Sequence, residues 1–396
     1  MKQKVTYNFL IILTAAILAS CATLQHENKN QSGKYASKFQ GISDTKKILS
    51  IMTTEEKVAQ LFVVMPEQLA QNSITTATKR LSIAARQYPV GGFALFSRHI
   101  ENPEQLRAFT RGLQKISELP PIIAVDEEGG LISRLANSRN FSLPKFSPAE
   151  TIGATKNTAN ARNEGRTIGK YLQDFGFNMD FAPVADVNTN PENVVIGSRA
   201  FGSDPALVSK MVGAFLQGLH KTNTKGCIKH FPGHGDTNGD THSDYVALTK
   251  TWDEIKKCEL IPFVQNFALA DSVMVAHVTV PDVDPLYPAS LSKPLISGKL
   301  REELGYKGII LTDALNMGAI EKNYGSGEAC VLAFEAGNDI LLMPKDFYAA
   351  YDAVLEAVSS GRISTQRLDE SVLRILEFKC KQKYQKRNRA VMLISL

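Results

Sequence analysis

Residues 308–313 read Gly-Ile-Ile-Leu-Thr-Asp, a short apolar, β-branched run that stops on a carboxylate at Asp313. A run of this length bounded by glycine and a polar residue reads as a buried strand. The same signature recurs along the chain: Ile122-Ile123-Ala124-Val125 ends on Asp126, and Met179-Asp180-Phe181-Ala182 is followed by Asp186. Ile228 leads into Lys229-His230, and Val273-Met274-Val275-Ala276 ends on His277. With Leu61-Phe62-Val63-Val64, residues 92–96 and Ile340-Leu341-Leu342-Met343, this gives eight candidate strands. Helical patterns lie between them at 54–60, 103–119, 160–175, 205–221 and 347–360, the first opened by a capping box from Thr53 to Glu56.

Strand and helix alternating in this way predict an α/β fold, a (β/α)8 TIM-type barrel forming a single catalytic domain. The polar strand ends favour a barrel over an open doubly wound sheet, because a barrel brings them all to one rim. An open sheet would want a glycine-rich phosphate turn after its first strand, where this chain has Met65-Pro66-Glu67.

The 396 residues are 43% hydrophobic, enough for one large core. Lys2 and Lys4 precede an apolar run from Phe9 to Leu18, and Leu18-Ala19-Ser20-Cys21 follows. The run is short for a membrane span and resembles a bacterial lipoprotein signal, so residues 1–20 are expected to be removed and Cys21 lipidated. The alternative is an ordinary secretory signal with an incidental cysteine. Residues 21–45 read as a polar tether, 46–380 as the catalytic domain, and 381–396 as a basic then apolar tail of unknown role. The expected location is lipid-anchored, periplasmic or cell-surface, with membrane contact through the anchor only, and the expected state is a monomer. Cys227, Cys258, Cys330 and Cys380 show no CxxC spacing, so neither a disulfide framework nor a zinc knuckle follows. Net charge is +5, falling by two to +3 without Lys2 and Lys4, with both signs interspersed, which gives no nucleic-acid signature.

Chemistry concentrates in residues 229–242, Lys-His-Phe-Pro-Gly-His-Gly-Asp-Thr-Asn-Gly-Asp-Thr-His, where Pro232 and Gly233 forbid a helix. Asp240 could orient His242 as a general acid/base, or both could be solvated loop residues. Asp313 could be a nucleophile, or the N-cap of a helix beginning at Ala314. Asp126, Arg134, Arg199, Lys229 and His230 could clamp a hydroxyl-rich ligand, although the two arginines could equally make structural ion pairs. His230, His234 and His242 could hold a metal, but Pro232 and Gly233 break a zincin spacing, so neither metal nor cofactor is expected.

This combination resembles the bacterial β-N-acetylglucosaminidases of glycoside hydrolase family 3, on residues 91–98, 125–130, 181–187, 195–202, 229–242 and 336–339. The resemblance implies a retaining exo-β-N-acetylglucosaminidase, a β-hexosaminidase removing terminal β-linked N-acetylglucosamine from cell-wall or related glycans. It implies Asp313 as nucleophile, His242 as acid/base with Asp240 as its partner, and Asp126, Arg134, Arg199, Lys229 and His230 on the terminal sugar, with His277 at the same rim. A neutral imidazole repels an anionic acceptor less than a carboxylate does, so phosphorolysis stays open beside hydrolysis. Glu127 stands where the family commonly has Gln, and Leu131-Ile132-Ser133 replaces a more polar stretch. A family 3 β-glucosidase and a non-catalytic glycan-binding lipoprotein are the competing readings.

Overall fold

The structure is a computed structural model describing Phe39 and residues 42–117, 119–238 and 246–394, with side chains as far as Cys380. One compact unit begins at Thr45. The preceding unit ends at Asp44, and of it only Phe39 and residues 42–44 are described. The expected signal, Cys21 and most of the tether therefore lie outside the described residues.

Eight parallel strands form the central sheet: β1 Phe62–Val64, β2 Gly92–Leu95, β3 Ile122–Val125, β4 Met179–Asp180, β5 Lys225–Phe231, β6 Ser272–Val275, β7 Ile309–Thr312 and β8 Leu341–Leu342. Neighbours run in the order β7-β6-β5-β4-β3-β2-β1-β8. Phe62 pairs with Leu341, and a parallel bridge between Leu311 and Ile340 joins β7 to β8, so the sheet returns on itself as a (β/α)8 barrel. Nearly every strand residue is buried, which is why these segments read as unbroken apolar runs instead of alternating ones. β5 extends from Lys225 to Phe231, beyond the three residues that the apolar pattern picks out, because Lys229 and His230 find partners inside.

The predicted helices form at Thr54–Gln60, Pro103–Lys115, Thr158–Asp174, Pro205–His220 and Phe347–Ser359. The capping box is present: Glu56 N–H donates to Thr53 Oγ1 at 3.3 Å, and Thr53 N–H donates to Glu56 Oε2 at 2.8 Å. Thr158–Asp174 packs closely on Pro205–His220, since a Cβ at Gly165 would lie 2.2 Å from the Phe215 carbonyl oxygen.

A final helix, Thr365–Ile394, carries the backbone beyond the expected domain end at 380, through 381–394. It is tied to the barrel seam by Asp339, which precedes β8 and is fully buried. The Asp339 carboxylate accepts from Ile310 N–H of β7 at 3.0 Å and Arg374 Nε at 2.9 Å, and also engages Arg301 and Ser371.

Candidate active site

At the C-terminal rim of the barrel lies a cleft of about 280 Å³, at the small end of small-molecule sites. It gathers Asp126, Arg134, Arg199, Lys229, His230 and Asp313. Asp240 and His242 lie outside the described residues. Residues 239–245 separate the described stems that end at Asn238 and resume at Val246.

The polar floor is built on β3 and β5. Lys229 Nζ lies 2.9 Å from Asp126 Oδ1 and 2.6 Å from Glu128 Oε1. Arg199 meets Glu128 with two donors, Nε at 2.9 Å and Nη2 at 2.8 Å, the bidentate geometry that suits guanidinium and carboxylate. Arg134 Nη2 reaches Asp126 Oδ2 at 3.4 Å and its guanidinium sits over the Phe96 ring. Both arginines therefore make ion pairs, as one of the two sequence alternatives has it, and both line the cleft. Burial works against charge at Glu128, but Lys229 and Arg199 outweigh it and hold the carboxyl far below its usual range. Burial likewise works against the Lys229 ammonium, and Asp126 and Glu128 reverse it, so Lys229 stays charged.

His230 is fixed from beneath. Its Nδ1 lies 2.7 Å from Asp186 Oδ2, and Asp186 Oδ1 accepts the backbone N–H groups of His230 at 3.2 Å and His234 at 2.7 Å. A carboxylate on Nδ1 leaves Nε2 to face the cleft, where Arg199 Nη2 stands 3.5 Å away. Burial opposes ionisation of Asp186, yet His230 and His234 bring its carboxyl below the ordinary aspartate value.

Asp313 follows directly on β7. It caps no helix: residues 314–317 form a turn, and the next helix, Gly318–Glu321, begins after Met317. Its Oδ1 instead accepts the neighbouring Ala314 N–H at 2.7 Å. Burial pushes the carboxyl up, but His277, His230 and the Ala314 N–H more than compensate, leaving it below the ordinary aspartate value and ionised. His277 is fully buried, with Nδ1 2.7 Å from Ser290 Oγ and Nε2 2.9 Å from the Ala314 carbonyl oxygen. It underlies the turn after Asp313 and is not among the cleft-lining residues. Met65, Phe96, Phe181, Met274, Met317 and Met343 supply the apolar part of the cleft lining. A cleft with an ionised carboxylate, fixed cations and apolar sides suits a neutral, hydroxyl-bearing ring.

Glu128 and His234 also line the cleft; the sequence reading does not single out Glu128 and weighs His234 only as a metal ligand. The available signal was Glu128 lying two residues after Asp126 and next to Gly129, with cations expected at neighbouring strand ends. Glu127, the departure from the family pattern, faces away into the core. It accepts Leu135 N–H and Ala136 N–H, each at 2.9 Å, and the Tyr171 hydroxyl at 2.9 Å.

Residues 53–378 match the glycosyl hydrolase family 3 N terminal domain. The chain is 32% identical over 339 residues to beta-hexosaminidase A of Pseudoalteromonas piscicida, covering 78% of this chain and 56% of that protein. It is 33% identical over 345 residues to beta-hexosaminidase LpqI of Mycobacterium tuberculosis, covering 84% of each. The solved structure of a glycoside hydrolase family 3 beta-N-acetylglucosaminidase from Paenibacillus sp. str. FPU-7 superposes with a TM-score of 0.79 at 37% identity, over 84% of this chain and 63% of that one. The chain thus spans less than two thirds of the Pseudoalteromonas and Paenibacillus proteins. A closed eight-stranded barrel, a charged cleft at its C-terminal rim and a match over residues 53–378 agree: the chain belongs to glycosyl hydrolase family 3.

Proposed function

We propose that the protein is a retaining exo-β-N-acetylglucosaminidase that removes terminal β-linked N-acetylglucosamine by two displacements. The observation that carries the reading is Asp313, an ionised carboxylate at the end of β7 in a cleft shared with Lys229, Arg199 and His230. The beta-hexosaminidase relatives support the sugar. In the first displacement an Asp313 carboxylate oxygen attacks the anomeric carbon while His242, oriented by Asp240, gives its proton to the departing glycosidic oxygen. Water then adds to the anomeric carbon, His242 takes its proton, and the bond to Asp313 breaks. Asp126, Arg134, Arg199, Lys229 and His230 hold the sugar hydroxyls through charge-assisted hydrogen bonds.

The test compares release of p-nitrophenol from the β-N-acetylglucosaminide and the β-glucoside by wild type and Asp313→Ala. Selective turnover of the former, abolished in the variant, is expected. Turnover of the glucoside alone would assign a β-glucosidase, and silence on both from a folded sample would leave a glycan-binding role.

The natural substrate that fits a lipid-anchored enzyme outside the cytosol is N-acetylglucosamine in cell-wall glycan. Anchoring through Cys21 predicts that wild type partitions into the detergent phase and Cys21→Ser into the aqueous phase. Equal partitioning would remove the anchor and the location argued from it. Light scattering of the detergent-free Cys21→Ser protein is expected to give a monomer mass, and a dimer mass would overturn that expectation.

A further inference from the structure

Two stems lead into and out of residues 239–245, and the Lys250 ammonium, outside the cleft-lining residues, links them. On the incoming stem, Asp186 accepts His234 N–H at 2.7 Å and Asn193 Nδ2 donates to the His234 carbonyl at 2.7 Å. Thr189 Oγ1 donates to Asp236 Oδ1 at 2.5 Å. On the outgoing stem, Val246–Ala247 pairs parallel with Val278 and Thr279, directly after His277, and Leu248 N–H donates to the Thr279 carbonyl at 2.8 Å. Lys250 follows this stem. Its Nζ lies 3.1 Å from Asp236 Oδ2 on the incoming stem and 2.6 Å from Glu259 Oε1.

Glu259 makes this more than a surface pair. Its side chain is fully buried, so its charge depends on Lys250 for compensation, and its Oε2 has no hydrogen-bond partner among the described residues. It also packs against the turn of the histidine-rich motif. A Cβ at Gly233 would lie 2.7 Å from Glu259 Cβ, and Gly233 has φ +128°, which favours glycine. The incoming turn, the outgoing stem and Glu259 thus meet at one ammonium that is not among the cleft-lining residues.

We propose that Lys250 is a positioning residue for the proton-transfer step: by tying Asp236 to Glu259 it fixes the two stems that carry residues 239–245, and the acid/base action of His242 depends on it. The inference rests on His242 being the acid/base in the function proposed above. It concerns transfer of a proton to the leaving oxygen and not sugar binding, so the two can be separated by leaving-group dependence.

The experiment measures kcat/KM, which reports the first displacement, for the full chain on aryl β-N-acetylglucosaminides running from dinitrophenyl to phenyl. A good leaving group needs no proton, whereas a poor one draws on the whole of an effect worth on the order of 10²- to 10⁴-fold. Lys250→Met is expected to lower kcat/KM about ten-fold or more for the phenyl glycoside and less than about three-fold for the dinitrophenyl one, with KM near wild type. Lys250→Arg is expected to restore most of the loss. An equal loss across the series, or none, would overturn the proposal. If circular dichroism shows Lys250→Met unfolded, Asp236→Asn replaces it with the same two outcomes. Wild-type silence on every glycoside would instead defeat the proposed function. Hydrogen exchange at Thr237 and Val246 then decides the clamp: faster exchange in Lys250→Met is expected, and unchanged protection overturns it.

Discussion

Glu128 and Lys229 form a 2.6 Å ion pair whose side chains are 5% and 3% exposed, deep enough that water screens it little. Lys229 also has Asp126, so losing Glu128 leaves it partly compensated, whereas Arg199 loses its bidentate partner. Breaking a buried pair from one side costs about 3–5 kcal/mol, and the remaining Asp126 places Glu128→Gln at the lower end. The expected result is a lower melting temperature together with at least a ten-fold drop in kcat/KM, checked by thermal denaturation and N-acetylglucosaminide hydrolysis. Full activity would remove Glu128 from the site.

His242→Ala is expected to lose about 10²- to 10⁴-fold on poor leaving groups and much less on activated aryl glycosides. Added azide or phosphate gives a further readout. Released N-acetylglucosamine rather than its 1-phosphate is expected in phosphate buffer, and accumulation of the 1-phosphate would make the enzyme a phosphorylase.

Asp313 is held below the ordinary aspartate value, so it stays ionised at all working pH values. No acidic limb above about pH 4 should come from it, given an unperturbed aspartate near 3.9. A profile of kcat/KM against pH for a dinitrophenyl glycoside, which needs no proton, should therefore stay flat from about pH 5 to 7. A rise with a midpoint inside that window would contradict the ionised nucleophile.

Asp186 supports His230 and His234, and its carboxyl is lowered in the fold after burial is overcome by the two imidazoles. A carboxyl lowered on folding stabilises the protein above its unfolded value and loses that stabilisation as pH falls through the folded value. Asp186→Asn should thus be less stable than wild type at pH 7, and the gap should narrow below about pH 4. Urea melts at the two pH values check this, and a gap that widens on acidification would refute it.

Lys379, a residue of the final helix, is buried with Nζ 2.7 Å from Gln60 Oε1, and burial lowers it to about 7. A lysine lowered on folding makes the native state bind fewer protons than the unfolded chain, so its cost is greatest at and below pH 7 and fades toward pH 10. Lys379→Met removes that cost but leaves Gln60 Oε1 without its donor, a loss of about 1–3 kcal/mol. A net gain of about 1–2 kcal/mol at pH 7 is expected, shrinking or reversing by pH 10. Equal effects at both values would show that the ammonium is not strained.

Much of the barrel was legible because its strands are buried on both faces and its helices start with local signals such as Thr53 and Glu56. Cleft placement of Asp126, Lys229, His230 and Asp313 followed from one rule, that strand ends share a rim. What local reading missed depends on contacts far apart in the chain. Glu128 becomes a cleft residue through Arg199, 71 positions away, and His230 is held in the cleft by Asp186, 44 away. The helix-cap reading of Asp313 failed for a different reason: a turn intervenes before Gly318, and nothing in Ala314-Leu315-Asn316 forbids a helix.

Asp339 joins β7 to Arg374 on the final helix, while β1 waits for β8 to complete its pairing. In chain order seven strands precede the residues that fasten the seam. Until β8 docks between them, β1 and β7 each present an unpaired edge, and such an edge is a template for pairing with other chains.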